Sequence, residues 1–228
     1  MWVRDGRATV TEATPSEVRD SAATSFPITG RTIPRRSSVS MKRLLLVRHA
    51  PTSATRELAF PADEPLDHEA CAQAAALAVR LPGASVALSS PARRAIQTAR
   101  AAGLDPATEP RLAECDFGAW SGCRLTDIDR ASPAASKEWM TDPSAAPHGG
   151  ESLRTFMARV GAWLDEEATL ERSVVAFTHG GVIRAAVAHV LKAGTTAVWR
   201  INVDPLSLTE LRAVDGEWSL AILNWTAR

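Results

Sequence analysis

The sequence predicts an α/β fold: a three-layer α/β/α sandwich around a mostly parallel central sheet. Three observations carry that prediction. Short, wholly apolar runs stand at 44–47, 86–88 and 174–177, the pattern of strands covered on both faces. Helical spacing of apolar residues follows each run. Strands that alternate with helices belong to sheets whose two faces are covered by those helices.

Residues 1–40 are rich in Ser, Thr and Arg and end in RTIPRRSSVS. They lack the periodicity of a packed element and read as a disordered tail or a mis-assigned start. No apolar core of a secretory signal is present, and Asp5, Glu12, Glu17 and Asp20 argue against a transit peptide. Met41 precedes Lys42, Arg43 and the first strand, so the domain is expected over 41–228. A helix is expected over 67–81, with Asp67 as its cap. The strand at 86–88 leads to Ser90-Pro91, an N-cap with a first-turn proline. The helix beyond it lines up Ala92, Ala95, Ile96, Ala99 and Ala102. Ser152 caps another helix, with Leu153, Phe156, Val160, Trp163 and Leu164 as its buried stripe. A further helix follows over 182–191. The runs at 207–211 and 218–223 form a terminal hairpin that turns at Asp215-Gly216.

Composition narrows the function. Hydrophobic residues are 45% and charged residues 23% of 228, as in ordinary globular chains. Lys+Arg is 26 and Asp+Glu is 26, a formal net charge of zero. That balance argues against nucleic acid as a partner. No apolar run reaches the roughly 18 residues of a spanning helix, so no membrane partner is expected. Cys71, Cys115 and Cys123 fit neither a disulfide framework nor a zinc pattern, so the expected setting is cytoplasmic. No metal or other cofactor is expected, and oligomeric state is left open.

Ligands of open parallel sheets bind beyond the carboxyl ends of the strands. Arg48, His49 and Thr52 follow the first strand. Ser90, Arg93 and Arg94 follow the second. Thr178, His179, Gly180 and Gly181 follow the third. Arginines offer planar, paired donors to phosphate oxygens. A histidine among arginines has a lowered pKa and stays neutral, as a nucleophile must.

Six segments carry a family resemblance. RHAPT at 48–52, DEPLDHEACAQA at 63–74, SSPARRAIQTA at 89–99, LAECDFGAWSG at 112–122, HGGES at 148–152 and FTHGGVIRA at 177–185 resemble, in order, the motifs of the histidine phosphatase superfamily, the phosphoglycerate mutase-like proteins of the RHG-motif branch 1. The resemblance implies a phosphoric monoester hydrolase of the histidine acid phosphatase type. Its implied substrate is a small phosphorylated metabolite. His49 matches the nucleophile that becomes phosphohistidine, and Glu114 the general acid. Arg48, Arg94 and His179 match groups that hold the transferring phosphoryl, and Thr52 a phosphate-binding hydroxyl. Ala50, Pro51, Thr55 and Ala92 depart from the usual Gly, Glu, Asn and Leu. Arg56 is a candidate replacement for the lost asparagine contact.

Two other readings compete. A phosphoglycerate mutase would return the phosphoryl group to substrate, but only a short connection separates Glu114 from GGES. A non-catalytic phospho-ligand module would not need all five core groups. Around the site, Arg93 reads as a solvated helix residue and His148 as a surface residue, while Glu151 fits either site or structure equally. Trp199, Trp218 and Trp225 are expected to pack on the sheet, and Cys115 to be a packed small side chain. The connection over 121–150 is expected to act as lid and specificity region.

Overall fold

A computed structural model describes residues 41–226, except 82 and 84. The tail expected over 1–40 lies outside the described residues. In chain order the elements are β1 (Lys42–Arg48), α1 (Ser53–Glu57), α2 (His68–Ala75), β2 (Val86–Ser89), α3 (Arg93–Ala101) and β3 (Ala107–Thr108). They continue with α4 (Leu125–Ala131), α5 (Pro133–Thr141), α6 (Leu153–Thr169), β4 (Val174–Thr178), α7 (Gly180–Val190), β5 (Leu208–Val214) and β6 (Glu217–Trp225). The sheet runs in the order β3-β2-β4-β1-β5-β6. β1, β2, β3 and β4 are mutually parallel, and the β5–β6 hairpin adds two antiparallel strands.

Both faces are covered because strand side chains alternate. Leu45, Val47, Val175 and Phe177 pack with Leu77, Ala99 and Ala102 on the α2–α3 side. Leu44, Leu46, Val174 and Ala176 pack with Phe156, Val160 and Trp163 of α6 and Val182 and Ile183 of α7 on the other. The three-layer α/β/α sandwich is therefore the observed fold.

Local chemistry explains most element ends. The Asp67 carboxylate accepts from Ala70 N at 2.8 Å, and Ser152 Oγ accepts from Thr155 N at 3.1 Å. The β5–β6 hairpin turns on Asp215 (φ 53°) and Gly216 (φ 81°), the left-handed pair that a two-residue turn requires. Two expectations need correction. The helix expected over 67–81 ends at Ala75 and tightens into a 3₁₀ turn, Ala78–Arg80. That tightening keeps Leu77 inside while Val79 faces outward. Ser90-Pro91 does not cap α3, whose N-cap is the extended Ala92. The Ser90 hydroxyl accepts from Ala92 N at 3.2 Å, ahead of the helix, and has a second partner described below. The short helices α1, α4 and α5 and the two-residue β3 had no sequence signal strong enough to be read.

The register positions the site. Arg48 pairs with Thr178 and Ser89 with Phe177. His49, Ser90 and His179 therefore leave three adjacent parallel strands at nearly the same level.

Candidate active site

His49 is buried at the end of β1. Its backbone N–H donates to Thr178 O at 2.9 Å. Its Nδ1 lies 2.7 Å from Ala50 O. A carbonyl only accepts, so Nδ1 carries the proton and Nε2 keeps its lone pair. Burial first, then the neighbouring Arg94, pushes the His49 pKa down to about 3. Ala50 holds this carbonyl without adopting a left-handed backbone, which is why the usual glycine is dispensable here.

Arg94 projects from the first turn of α3 and is buried. Its Nη2 donates to His179 Nδ1 at 3.2 Å. His179 is wholly buried and its Nε2 donates to Ser90 Oγ at 2.7 Å. Burial, then the facing His49 and the arginines, hold His179 well below its ordinary pKa. The family resemblance assigns His179 to the groups that hold the transferring phosphoryl. In the structure both ring nitrogens are engaged, one by Arg94 and one by Ser90, and His179 is not among the residues lining the cavity. Its geometry is that of a group that orients Arg94. The ring centroids of His49 and His179 are 5.2 Å apart, edge to face.

Arg48 donates from Nη1 to Val203 O at 2.6 Å. The Nε atoms of Arg48 and Arg94 are buried and have no hydrogen-bond partner among the described residues. Glu114 accepts from Gly181 N (Oε2, 3.1 Å) and from Cys115 N (Oε1, 3.1 Å). A Cβ on Gly181 would lie 2.1 Å from Glu114 Oε1, so the carboxylate keeps its present place only because this residue has no side chain.

A cavity of about 180 Å³ collects Arg48, His49, Arg94 and Glu114 on one wall system. Thr52 is not on it. Its hydroxyl donates to Glu64 Oε1 at 2.8 Å and accepts from Thr55 N at 3.3 Å, capping α1. Thr55 lines the cavity instead. Arg56 does not replace the lost asparagine, because it pairs with exposed Asp67.

Two residues on the wall were missed. Glu64 occupies the variable position of the D-x-P-L segment, so the motif gave it no role. Its Oε2 accepts from Ala62 N at 2.9 Å and stands 3.9 Å from Arg94 Nη1. Burial pulls its pKa up, but hydrogen bonds from its own N–H, Thr52 and Ala62, with Arg94 nearby, bring it below the usual range. Arg184 closes the HGGVIR segment and follows Gly181 by three residues, a spacing that puts both on one helix face. That spacing was the available signal. Glu151 proves structural. It pairs with Arg159 at 2.7 Å, and Arg159 clamps the carbonyls of Arg111, Ala113 and Glu114, fixing the loop that carries the acid.

His148 is buried, against expectation, in a cage of Phe117, Trp120 and Trp139. Its Nδ1 accepts from Gly150 N at 3.0 Å. Trp199 does not pack on the sheet. It is 41% exposed and meets Trp139 edge-on at 6.3 Å. Trp225 is also largely exposed, and Trp218 donates to Leu164 O at 2.9 Å. Arg93 is exposed and Cys115 buried, as expected. Among the described residues no group of three or more His, Cys, Asp or Glu is placed to hold a metal ion, and no helix is long and apolar enough to cross a membrane.

Fold and cavity together define an open α/β sandwich with an arginine-lined anion pocket at the carboxyl ends of its parallel strands. The family model of the histidine phosphatase superfamily (branch 1) matches residues 44–226, and the chain belongs to that family. A bifunctional protein of Mycobacterium tuberculosis is 31% identical over 201 residues, covering 81% of this chain and 54% of the relative. The chain thus spans about half the length of the first curated relatives it matches. A glucosyl-3-phosphoglycerate phosphatase of Mycolicibacterium vanbaalenii is 34% identical over 171 residues, covering 66% of this chain and 75% of its own. The solved native structure of a mycobacterial glucosyl-3-phosphoglycerate phosphatase superposes with a TM-score of 0.71 at 28% identity, covering 82% of this chain and 100% of its own.

Proposed function

We propose that the chain is a phosphomonoesterase of small phosphorylated metabolites, working through a phosphohistidine on His49. The reading is supported by one observation above the others. A neutral imidazole with a bare Nε2 shares a cavity with two buried guanidinium groups and a carboxylate. The partnerless Nε–H groups of Arg48 and Arg94 suit the oxygens of a bound phosphoryl group, since buried donors are ordinarily paired. Relatives named as phosphatases for glucosyl-3-phosphoglycerate and phosphoserine support the choice of small metabolites.

In the first step His49 Nε2 attacks phosphorus and the P–O bond to the alcohol breaks. Glu114 gives its proton to the departing oxygen. The Ala50 carbonyl stabilises the N–H that becomes more acidic as Nε2 binds phosphorus. In the second step water attacks phosphorus, Glu114 takes the water proton, and the N–P bond breaks to release phosphate. Arg48 and Arg94 hold the equatorial oxygens, whose charge spreads in the transition state. Donors of this kind contribute about 3–4 kcal/mol each to barrier lowering in other enzymes. His179 keeps Arg94 in place.

The test is phosphate release from a panel of phosphorylated metabolites, with acid-quenched protein probed for acid-labile phosphohistidine. Trapped label on His49 with release of phosphate supports the reading. Rapid isomerisation of 3-phosphoglycerate with a bisphosphate primer would overturn it in favour of a mutase.

A further inference from the structure

We infer that the alcohol part of the substrate carries an apolar ring, received by an aromatic annex beside the phosphate cavity. The inference rests on the phosphatase reading above and specifies the substrate class of that site. A second cavity of about 170 Å³ adjoins the first, and the two share Phe60, Glu114, Phe117, Gly181 and Arg184. Its remaining wall is mainly apolar, with Trp139 and Trp199 at one side and Leu153 at another.

Glu114 stands at the junction. A proton donor must reach the departing oxygen, so the scissile oxygen lies near Glu114 and the alcohol continues past it. His49 is on the phosphate side only, and the annex does not include it. In-line displacement puts the departing group opposite the attacking nitrogen, which directs the alcohol into the annex.

Size and chemistry then limit the alcohol. An apolar cavity of about 150 Å³ is enough for a benzene-sized ring. Phe60 and Phe117 pack with centroids 4.5 Å apart and ring planes tilted by 44°, and Trp139 meets Trp199 edge-on. Such walls favour ring faces and edges. Arg184, on the wall the two cavities share, suits one hydrogen-bond acceptor on the ring.

The full chain is assayed with 2-phenylethyl phosphate and propyl phosphate, whose alcohols are equally poor leaving groups, and with a hexose 6-phosphate. The expected result is a kcat/KM about tenfold to a hundredfold higher for the phenylethyl ester, mostly through KM. Trp199→Ala should cut that ratio severalfold, and Trp199→Phe should keep most of it. Trp199 is largely exposed, so its removal is not expected to unfold the protein. Equal kcat/KM for the two esters, a ratio that Trp199→Ala leaves unmoved, or a higher kcat/KM for the hexose ester would each overturn the inference. If no ester is hydrolysed, the phosphatase reading fails instead. Calorimetry with 2-phenylethylphosphonate and propylphosphonate then decides the annex alone: tighter binding of the first supports it, and equal Kd overturns it.

Discussion

At position 49 the usefulness of the imidazole depends on which nitrogen holds the proton. The Ala50 carbonyl decides that, and burial with Arg94 removes the competing cationic form. His49→Ala should lower turnover of any phosphomonoester by about a thousandfold or more, with an unchanged circular dichroism spectrum. Retained activity would eliminate the covalent route. Glu64 acts in the opposite sense. Its carboxylate takes the Thr52 hydroxyl and stands near Arg94, both of which the family motifs assign to phosphate. Glu64→Gln removes a charge that repels the incoming dianion and leaves an oxygen for Thr52. Inorganic phosphate should then inhibit about three- to tenfold more tightly, as a smaller competitive Ki. A Ki that rises would mean the carboxylate positions Arg94 instead. His49, Arg48, Arg94 and Glu114 were legible as a group from the motifs. Glu64 was not, because a carboxylate at a variable motif position looks like any surface acid until the chain is folded.

Among elements, α7 carries the most information. Its first two residues are glycines for different reasons. A Cβ on Gly181 would collide with the Glu114 carboxylate at 2.1 Å, whereas one on Gly180 would meet Arg48 at an ordinary 3.4 Å. Gly181→Ala should therefore push the flexible Glu114 side chain out of place and lower kcat by at least about tenfold. Gly180→Ala should leave thermal stability within about 0.5 kcal/mol of the parent. Equal effects from the two, by steady-state kinetics and thermal melts, would refute this account. The helix starts at Asp67 and Ser152 were readable because a short polar side chain there satisfies a free N–H. Ser90-Pro91 shows the same signal with another outcome. The hydroxyl accepts from Ala92 N at 3.2 Å, just ahead of the helix, and also meets His179 at 2.7 Å, so it serves a local turn and a tertiary partner rather than the helix cap. His148 was misread for a related reason. Nothing in HGGES shows that Phe117, Trp120 and Trp139 will close around that ring.

For the whole molecule, two deeply buried neutral histidines dictate how stability responds to acid. Their folded pKa values lie below the unfolded value of about 6.5. The unfolded chain therefore takes up protons first as pH falls. Their contribution is full above about pH 6.5 and is lost progressively as pH falls below it, the His49 part of it down to about pH 3. Glu64, Glu109 and Glu210, held below the usual carboxylate range, add to the loss at the acid end. Urea midpoints measured at pH 7, 6 and 5 should fall steadily, and a flat series would sink the claim. Layering and strand direction were legible from apolar runs alone. Strand order was not, since nothing local says that β4 inserts between β2 and β1. That pairing is non-local and emerges only when the sheet assembles.

The two imidazoles stand at one level at the ends of adjacent strands, each one residue past the pair Arg48–Thr178. Their 5.2 Å separation is close to the roughly 4.8 Å gap between adjacent strands. The reacting core thus inherits its spacing from backbone pairing rather than from any connecting segment. Residues 53–64 and 121–150 supply Thr55, Glu64 and Trp139 to the cavity walls without setting that distance, so the walls can differ while the sheet's edge keeps its dimensions.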